Sequence, residues 1–245
     1  MADDFVTADG GTPEGGEQSL SGEIGDILLE VQQQLRDITG DTWPPSVMLL
    51  YINPVILEIV KLKPEAYPVP RVLKLNAGTE QRISALGTTL ETTFIAAISI
   101  LDIVCNMGTT GSTTGLSIIG LEKNAIDHLV PDWQTYDADP VVVHGIKDSR
   151  NPLVFYSFPP QPASNQGFVK FLLSEPPPDI TEDNTDFPLD PSYKIAFKNG
   201  MIWKCLSEET NQQGASQKAI MYRQTFLQDL GLKSNVDAQN NAKGK

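Results

Sequence analysis

The fold of this chain is predicted chiefly from Val141 to Leu173, which reads VVVHGIKDSRNPLVFYSFPPQPASNQGFVKFLL. It contains three runs rich in β-branched and aromatic residues, each bounded by turn formers, and such runs are typical of β-strands. Asp148, Asn151 and Pro152 between the first two runs favour a tight polar turn. Alternation in the third run predicts one apolar and one polar face. The stretch therefore predicts a three-stranded antiparallel meander whose apolar face is covered by the rest of the chain.

More β-structure is predicted on the N-terminal side of the meander. RVLKL and QRIS flank the turn-prone residues Asn76 to Thr79, a pattern that predicts a second hairpin. Thr88 to Val104 is apolar and β-branched, which favours a buried strand or a pair of strands, although a helix from Thr93 onward fits the periodicity as well. Two further elements are predicted before the meander: a strand at Leu116–Leu121 and a short helix at Glu122–Leu129.

Two helices are predicted before this β-rich region. Apolar residues recur on one helical face after Ser21, a plausible N-cap, and the pattern ends near Gly40. A second helix begins at Pro45, a favourable first position, and stops before Pro64. Pro54 lies inside this helix, removes one intrahelical hydrogen bond, and predicts a kink.

Two more helices are predicted at the C-terminal end, where Asp190 and Pro191 form a start signal and Gly231 a stop signal. The predicted fold class is α+β, with N- and C-terminal helices forming a four-helix bundle beside a central antiparallel β-rich module. The predicted division is a flexible acidic arm at 1–19, the first half of the bundle at 20–68, a β-rich module with one short helix at 69–174, a proline-rich acidic connector at 175–190, the second half of the bundle at 191–232, and a flexible tail at 233–245.

Composition excludes several classes of protein. Lys and Arg number 18 against 31 Asp and Glu, and the net charge of -13 argues against a protein that binds duplex DNA by neutralising phosphates. Cys105 and Cys205 lie in apolar runs, which predicts buried, reduced thiols. The N-terminus lacks a secretory signal, and the apolar run FIAAISILDIV is interrupted by Asp102. We expect an intracellular protein that does not contact a membrane.

Few residues suggest catalysis. His128 and His144 have no Cys or His neighbours at metal-ligand spacing, and structural roles are favoured for both. The segment GTTGSTTG from Gly108 to Gly115 lacks the ending of a P-loop and is interpreted as a plain loop. No GxSxG, HExxH or Cys-His signature is present. We expect a protein that is not an enzyme and uses no metal or cofactor.

The order of several segments resembles the head-to-tail adaptor, or connector, proteins of short-tailed bacteriophages. The resemblance covers about Ile24 to Leu232 and depends on the shared order of its motifs. The segments are DTWPPSVMLLYINPVILEIVKLKPEAY, VLKLNAGTEQRIS, ILDIVCNMG, LEKNAIDHLVPDW, VVVHGIKDSRNPLVFYSFPP and MYRQTFLQDLG. The chain departs from the pattern at Pro54 and in apparent extra length at Ala85–Thr93.

The resemblance implies a structural virion protein at the head–tail junction, made in the host cytoplasm. It implies a ring, usually of twelve copies, whose helical bundles dock on the portal and whose β-modules receive the tail tube or nozzle. DNA would pass through the lumen without specific binding. The residues that we predict to contact the portal or a neighbouring copy are Trp203, Tyr222, Phe226 and Trp133.

Two physical arguments agree with a ring. The segments Met1 to Gly16 and Glu175 to Pro191 are extended and in surplus for a compact monomer, so we expect them to lie across neighbours. Repeating a charge of -13 around an axis favours a negatively lined channel along which DNA slides. The alternatives are a β-rich carbohydrate- or protein-binding module without ring assembly and, third, a hydrolase that uses Asp127, His128 or His144.

Overall fold

A computed structural model describes residues 22–85, 87–88, 96–181, 185–209 and 214–232. The predicted arm at 1–19, the tail at 233–245, the cap Ser21 and most of the apparent extra length at 85–93 lie outside these ranges. The α-helices of the described residues are α1 Gly22–Leu35, α2 Pro45–Leu62, α3 Lys123–Leu129, α4 Lys194–Glu208 and α5 Ala215–Asp229. The strands are β1 Pro68–Lys74, β2 Gly78–Arg82, β3 Gly87–Thr88, β4 Ser99–Asn106, β5 Ile119–Glu122, β6 His144–Lys147, β7 Val154–Gln161 and β8 Phe168–Ser174.

The four long helices share one apolar core, as the helical periodicity at both ends of the chain predicts. Helix α4 makes the principal helix–helix contacts, which join it to α1, α2 and α5. Gly200 in α4 allows close approach, because a Cβ atom there would lie 2.7 Å from Val55 Cγ1 of α2 and 3.2 Å from the ring of Phe226 in α5. The helical half is therefore a cluster centred on α4, and the closed four-helix bundle stays a prediction.

Helix α2 begins at Pro45 and ends before Pro64, as predicted, and it continues through the exposed Pro54. With 18 residues, it is long and apolar enough by length and composition to cross a membrane, which the sequence reasoning did not notice. A core helix passes the same test, and α2 buries Ile52, Ile59 and other apolar residues in the shared core. We interpret α2 as a core helix.

The first hairpin of the predicted meander is confirmed, since β6 and β7 pair antiparallel. The three-stranded meander itself is wrong, because β7 and β8 belong to different sheets. One sheet has the order β3-β1-β8-β4 and the other the order β2-β7-β6-β5. The second predicted hairpin is wrong for the same reason, since β1 and β2 also lie in different sheets. The two sheets share a core in which the rings of Phe155 and Phe171 meet edge to face, with centroids 5.2 Å apart. Alternation showed which side chains face that core, but it could not show which strands are neighbours.

The prediction of a wholly antiparallel module is also wrong. Strands β5 and β6 pair in parallel, from Ile119 opposite His144 to Glu122 opposite Lys147. Parallel neighbours need a crossover connection, and here α3 lies between the two strands. The predicted short helix at Glu122–Leu129 matches α3, so it is the pairing of its flanking strands that differs from the prediction.

The described parts of the proline-rich connector, 175–181 and 185–190, lie against their own chain. We expected the connector to lie across neighbouring copies. Arg71 donates two hydrogen bonds to the Glu175 carboxylate, at 2.8 and 2.7 Å. The amide of Asn53 in α2 donates to the Ile180 carbonyl at 3.1 Å and accepts from its N–H at 2.8 Å. Ile180, Phe187 and Leu189 are buried in the helical core. These apolar residues bind the described part of the connector to its own helices, because burying them is favourable.

Acidification is expected to weaken the attachment of α1. The Lys194 ammonium donates a hydrogen bond to the Glu23 carboxylate, the backbone N–H of Phe187 donates another, and these bonds lower the pKa of Glu23 below its ordinary value of 4.5. A carboxylate with a depressed folded-state pKa stabilises the fold above its unfolded pKa, and that contribution is lost as the pH falls through the folded value. Glu23→Gln should therefore lower Tm at neutral pH, and the loss should shrink in acid.

Thermal melts of both proteins between about pH 7 and pH 3 check this expectation. Asp26→Asn provides the matched control, because Asp26 is an exposed carboxylate on the same helix. The control should follow the parent chain across the range. Equal differences in Tm at neutral and acid pH for Glu23→Gln would show that the contact does not titrate as described.

Candidate interaction surfaces

An aromatic cluster joins α4 and α5. The ring of Trp203 stacks on that of Phe226, with centroids 6.0 Å apart and an angle of 29° between the planes. Lys204 Nζ lies 4.4 Å and Arg223 Cζ 5.1 Å from the centre of the Trp203 ring. Cations at these positions are attracted to the negative face of an indole. Because Trp203 is only half-buried, the cluster presents an aromatic surface beside the exposed Arg223, whereas Lys204 is also paired with Glu58 at 3.8 Å.

The four residues predicted to contact the portal or a neighbour differ in exposure. Trp203 and Tyr222 are half-buried at the α4–α5 surface. Phe226 has no exposed area, and Trp133 is 1% exposed. Since a fully buried side chain offers no contact area, the structure places Phe226 and Trp133 in the chain's own cores. Trp203 and Tyr222 are the two that a partner can touch without rearrangement.

Trp133 is held by contacts within the β-rich half. Its indole Nε1 donates to Asp127 at 2.9 Å, and its ring meets that of Tyr156 edge to face at 6.0 Å. Lys123 Nζ donates to the other Asp127 oxygen at 2.7 Å, and the hydrogen bonds from Lys123 and Trp133 lower the pKa of Asp127. These contacts fix α3 against the sheet, because Asp127 lies on that helix.

Two helix faces that the sequence reasoning missed are exposed. On α5, Ile220 and Met221 are 60% and 55% exposed, and the neighbouring Gln217, Gln224 and Gln228 are uncharged and exposed. We call these five residues the α5 face. On α1, Leu29 is 56% exposed and lies beside Asp26, Glu30 and Gln33, which are also exposed. We call these four residues the α1 face.

The signal for the α5 face was present in the sequence. Ala219, Tyr222, Phe226 and Leu230 recur at helical spacing and form the apolar stripe of this helix, and Ile220 and Met221 fall outside it. Large apolar residues outside the stripe of an amphipathic helix indicate a contact with something beyond that core.

The β-rich half has an exposed apolar patch at its edge strand β5. Leu116, Ile119, Val141 and Val143 are 74%, 56%, 42% and 45% exposed. Close to Val143, the half-buried His144 stacks on Phe158, and Tyr136 packs on the same ring at 5.2 Å. An edge strand flanked by apolar side chains is a surface that can accept another protein.

A groove of about 660 Å³ lies between α2 and the start of the connector. It is largely apolar, because prolines 176–178 form one wall and Leu57 and Leu62 contribute to the other. Lys61, Glu58 and Asp179 are its charged residues. This groove is a consequence of the connector folding back on α2.

The described residues do not form a site for metal chemistry. Within the ranges that the structure describes, no group of three or more His, Cys, Asp or Glu residues could hold a metal ion. Burial raises the pKa of the Cys205 thiol to about 12, so this buried cysteine is not a thiolate nucleophile at neutral pH. His128 is exposed on α3. One oxygen of Asp127 accepts a hydrogen bond from Lys123 and the other accepts one from Trp133, so this carboxylate has a structural role.

Comparison with known proteins gives one result for the whole chain. A family model described as SU10 adaptor protein matches residues 24–243. The matched range includes every helix of the cluster except the first two residues of α1, and it includes both sheets. A search of curated proteins found no match.

Proposed function

Because the chain belongs to the SU10 adaptor protein family, we propose that it is a bacteriophage head-to-tail adaptor that links the portal to the tail tube or nozzle. It assembles as a ring, usually of twelve copies, which continues the DNA channel of the virion. It is made in the host cytoplasm and becomes part of the head–tail junction. The observation that carries this proposal is the family match over residues 24–243. The role is structural, without catalysis.

Separate apolar cores in the two halves support a division of labour between partners. Within the described residues, the helical cluster has one core and the β-rich half has three, the largest of them between the two sheets. Each half also exposes apolar side chains, on α5 and beside β5. The helices, arranged in the ring as bundles, contact the portal through Trp203 and Tyr222, and the patch beside β5 receives the tail protein.

Charge supports a channel that does not bind DNA. The net charge is -13, because 31 Asp and Glu outnumber 18 Lys and Arg. A surface that attracts duplex DNA needs unpaired cations to replace the counterions of the phosphates. DNA therefore passes through the lumen by sliding.

Negative-stain imaging of the purified chain, with and without a portal ring, tests the proposal. We expect rings, or monomers that become rings on the portal. A protein that stays monomeric and leaves the portal bare would contradict the proposal. It would favour the β-rich binding module, for which the exposed Tyr136 on Phe158 would be the natural platform.

Substitution of the aromatic cluster locates the portal contact in the same experiment. Trp203→Ala should keep the fold and reduce portal occupancy, because the half-buried indole contributes contact area. Tyr136→Ala is the matched control, since it removes an exposed aromatic ring from the β-rich half. Equal occupancy for Trp203→Ala and the parent would place the portal contact elsewhere.

A further inference from the structure

The α1 face and the α5 face carry opposite electrostatic character. Residues 22–35 of α1 contain the carboxylates Glu23, Asp26 and Glu30 and no Lys or Arg. The α5 face is itself uncharged, and the exposed cations Lys218 and Arg223 border it on either side. Asp229, near the C-terminal end of α5, accepts a hydrogen bond from Asn199 at 2.6 Å and keeps its negative charge. In a chain of charge -13, the exposed surface of α5 is therefore apolar, bordered by two cations and one carboxylate.

Helices α1 and α5 pack on different sides of α4. Lys194 and Lys198 of α4 form ion pairs with Glu23 and Glu30 of α1. Asn199 and Trp203 of α4 contact α5. With 3.6 residues per turn, the two pairs of α4 positions lie roughly 140° apart around the helix axis. One copy of the chain can therefore present the α1 face to a neighbour on one side and the α5 face to a neighbour on the other.

We propose that the α5 face of one copy docks on the α1 face of the next copy, an inference that rests on the proposed ring function. Ile220 and Met221 cover Leu29, and Lys218 and Arg223 approach Asp26, the α1 carboxylate that forms no ion pair within the described residues. A contact between two α1 faces would bring carboxylates together, and a contact between two α5 faces would bring cations together. Contacts between identical faces are therefore disfavoured. A contact between two different faces is heterologous, and repeating it around an axis closes a ring when the rotation per copy divides a full turn.

Two charge-reversed variants test this contact without touching an intrachain ion pair. The first carries Lys218→Glu and Gln224→Glu on α5, and the second carries Asp26→Lys and Gln33→Lys on α1. All four residues are exposed. Within the described residues, none of these side chains takes part in an ion pair. Lys74→Glu on β1 is the control for charge, since Lys74 is exposed and lies in the other half of the chain.

Analytical ultracentrifugation, with a portal ring added if the parent chain needs one, measures the assembled fraction. Each variant alone should assemble about tenfold less than the parent, because like charges then meet at every contact. An equimolar mixture should restore assembly, since the two variants can alternate with opposite charges at each contact. A ring in which the two variants alternate closes only with an even number of copies, and a ring of twelve meets this condition.

The outcomes separate this inference from the function on which it rests. If the parent chain and Lys74→Glu form rings and the two reversed variants also do, the α1–α5 contact is overturned and the ring stands. If each variant fails and their mixture fails as well, the complementary pairing is overturned. If the parent forms no ring with or without a portal, the proposed function and the contact fail together. Should a double variant lose its melting transition, the single changes Lys218→Glu and Asp26→Lys provide the same test.

Discussion

Phe226→Ala is expected to lower the free energy of unfolding by about 3–5 kcal/mol, the range found for removing a buried phenylalanine ring. The side chain has no exposed area, stacks on Trp203 and lies against Gly200, where a larger residue would not fit. Its loss leaves a cavity at the contact between α4 and α5. Because α4 also holds α1 and α2, the whole helical cluster depends on this contact.

Urea unfolding of the two proteins measures the difference. Phe226→Leu is the matched control, because it keeps an apolar side chain of similar volume and should cost below about 1.5 kcal/mol. A loss under about 1 kcal/mol for Phe226→Ala would be too small for a core ring. Such a small loss would indicate that Phe226 is exposed and can contact a partner, as the sequence predicted.

Gly167→Ala is expected to destabilise the β-rich half by about 3 kcal/mol, the upper end of the usual range for overpacking. A Cβ atom at this position would overlap the backbone carbonyl oxygen of Pro140, which cannot move as a flexible side chain can. The same residue accepts a hydrogen bond from Leu75 N–H at 3.0 Å and donates one to Gln161 Oε1 at 2.9 Å. The overlap would therefore strain the connection between β7 and β8.

Gly120→Ala is the control for this substitution. Gly120 lies in β5, and a Cβ atom there would meet nothing within 4 Å. The control should change the urea midpoint little, and Gly167→Ala should lower it clearly. Equal midpoints for the two variants would show that Pro140 and Gly167 are further apart than the structure has them.

Local signals explain which parts of the fold the sequence could predict. The start of α2 at Pro45, the turn that Asp190 begins before α4, and the stop at Gly231 each depend on a few adjacent residues. Asp190 accepts a hydrogen bond from Ser192 N–H at 2.9 Å, as a residue at the start of a helix does. Such signals are readable because the atoms involved are close in sequence.

Strand pairing was not readable in the same way. The run that became β8 had the correct alternation, but its neighbours β1 and β4 are about 100 and 70 residues away. The short loop between β7 and β8 suggested a hairpin. In the structure, Phe171 of β8 packs against Phe155 of β7 from the opposite sheet. The parallel pairing of β5 and β6 could have been predicted more easily. The sequence predicted the helix between these strands, and a helical crossover joins parallel strands.

The contact residues predicted from the sequence differ in burial. Phe226 was among them, although it recurs at helical spacing with Ala219, Tyr222 and Leu230 and is fully buried. Periodicity would have assigned Phe226 to the core and directed attention to Ile220 and Met221. The buried Ile180 and Phe187 were similarly overlooked among prolines and carboxylates, so the connector was expected to leave its own chain.

The mass of the particle formed by the purified chain and a portal ring shows whether the chain is an adaptor. Native mass spectrometry should show the portal carrying an integral number of added copies, each of 26.8 kDa, as a closed ring. A portal of unchanged mass beside free monomers of 26.8 kDa would contradict the adaptor role.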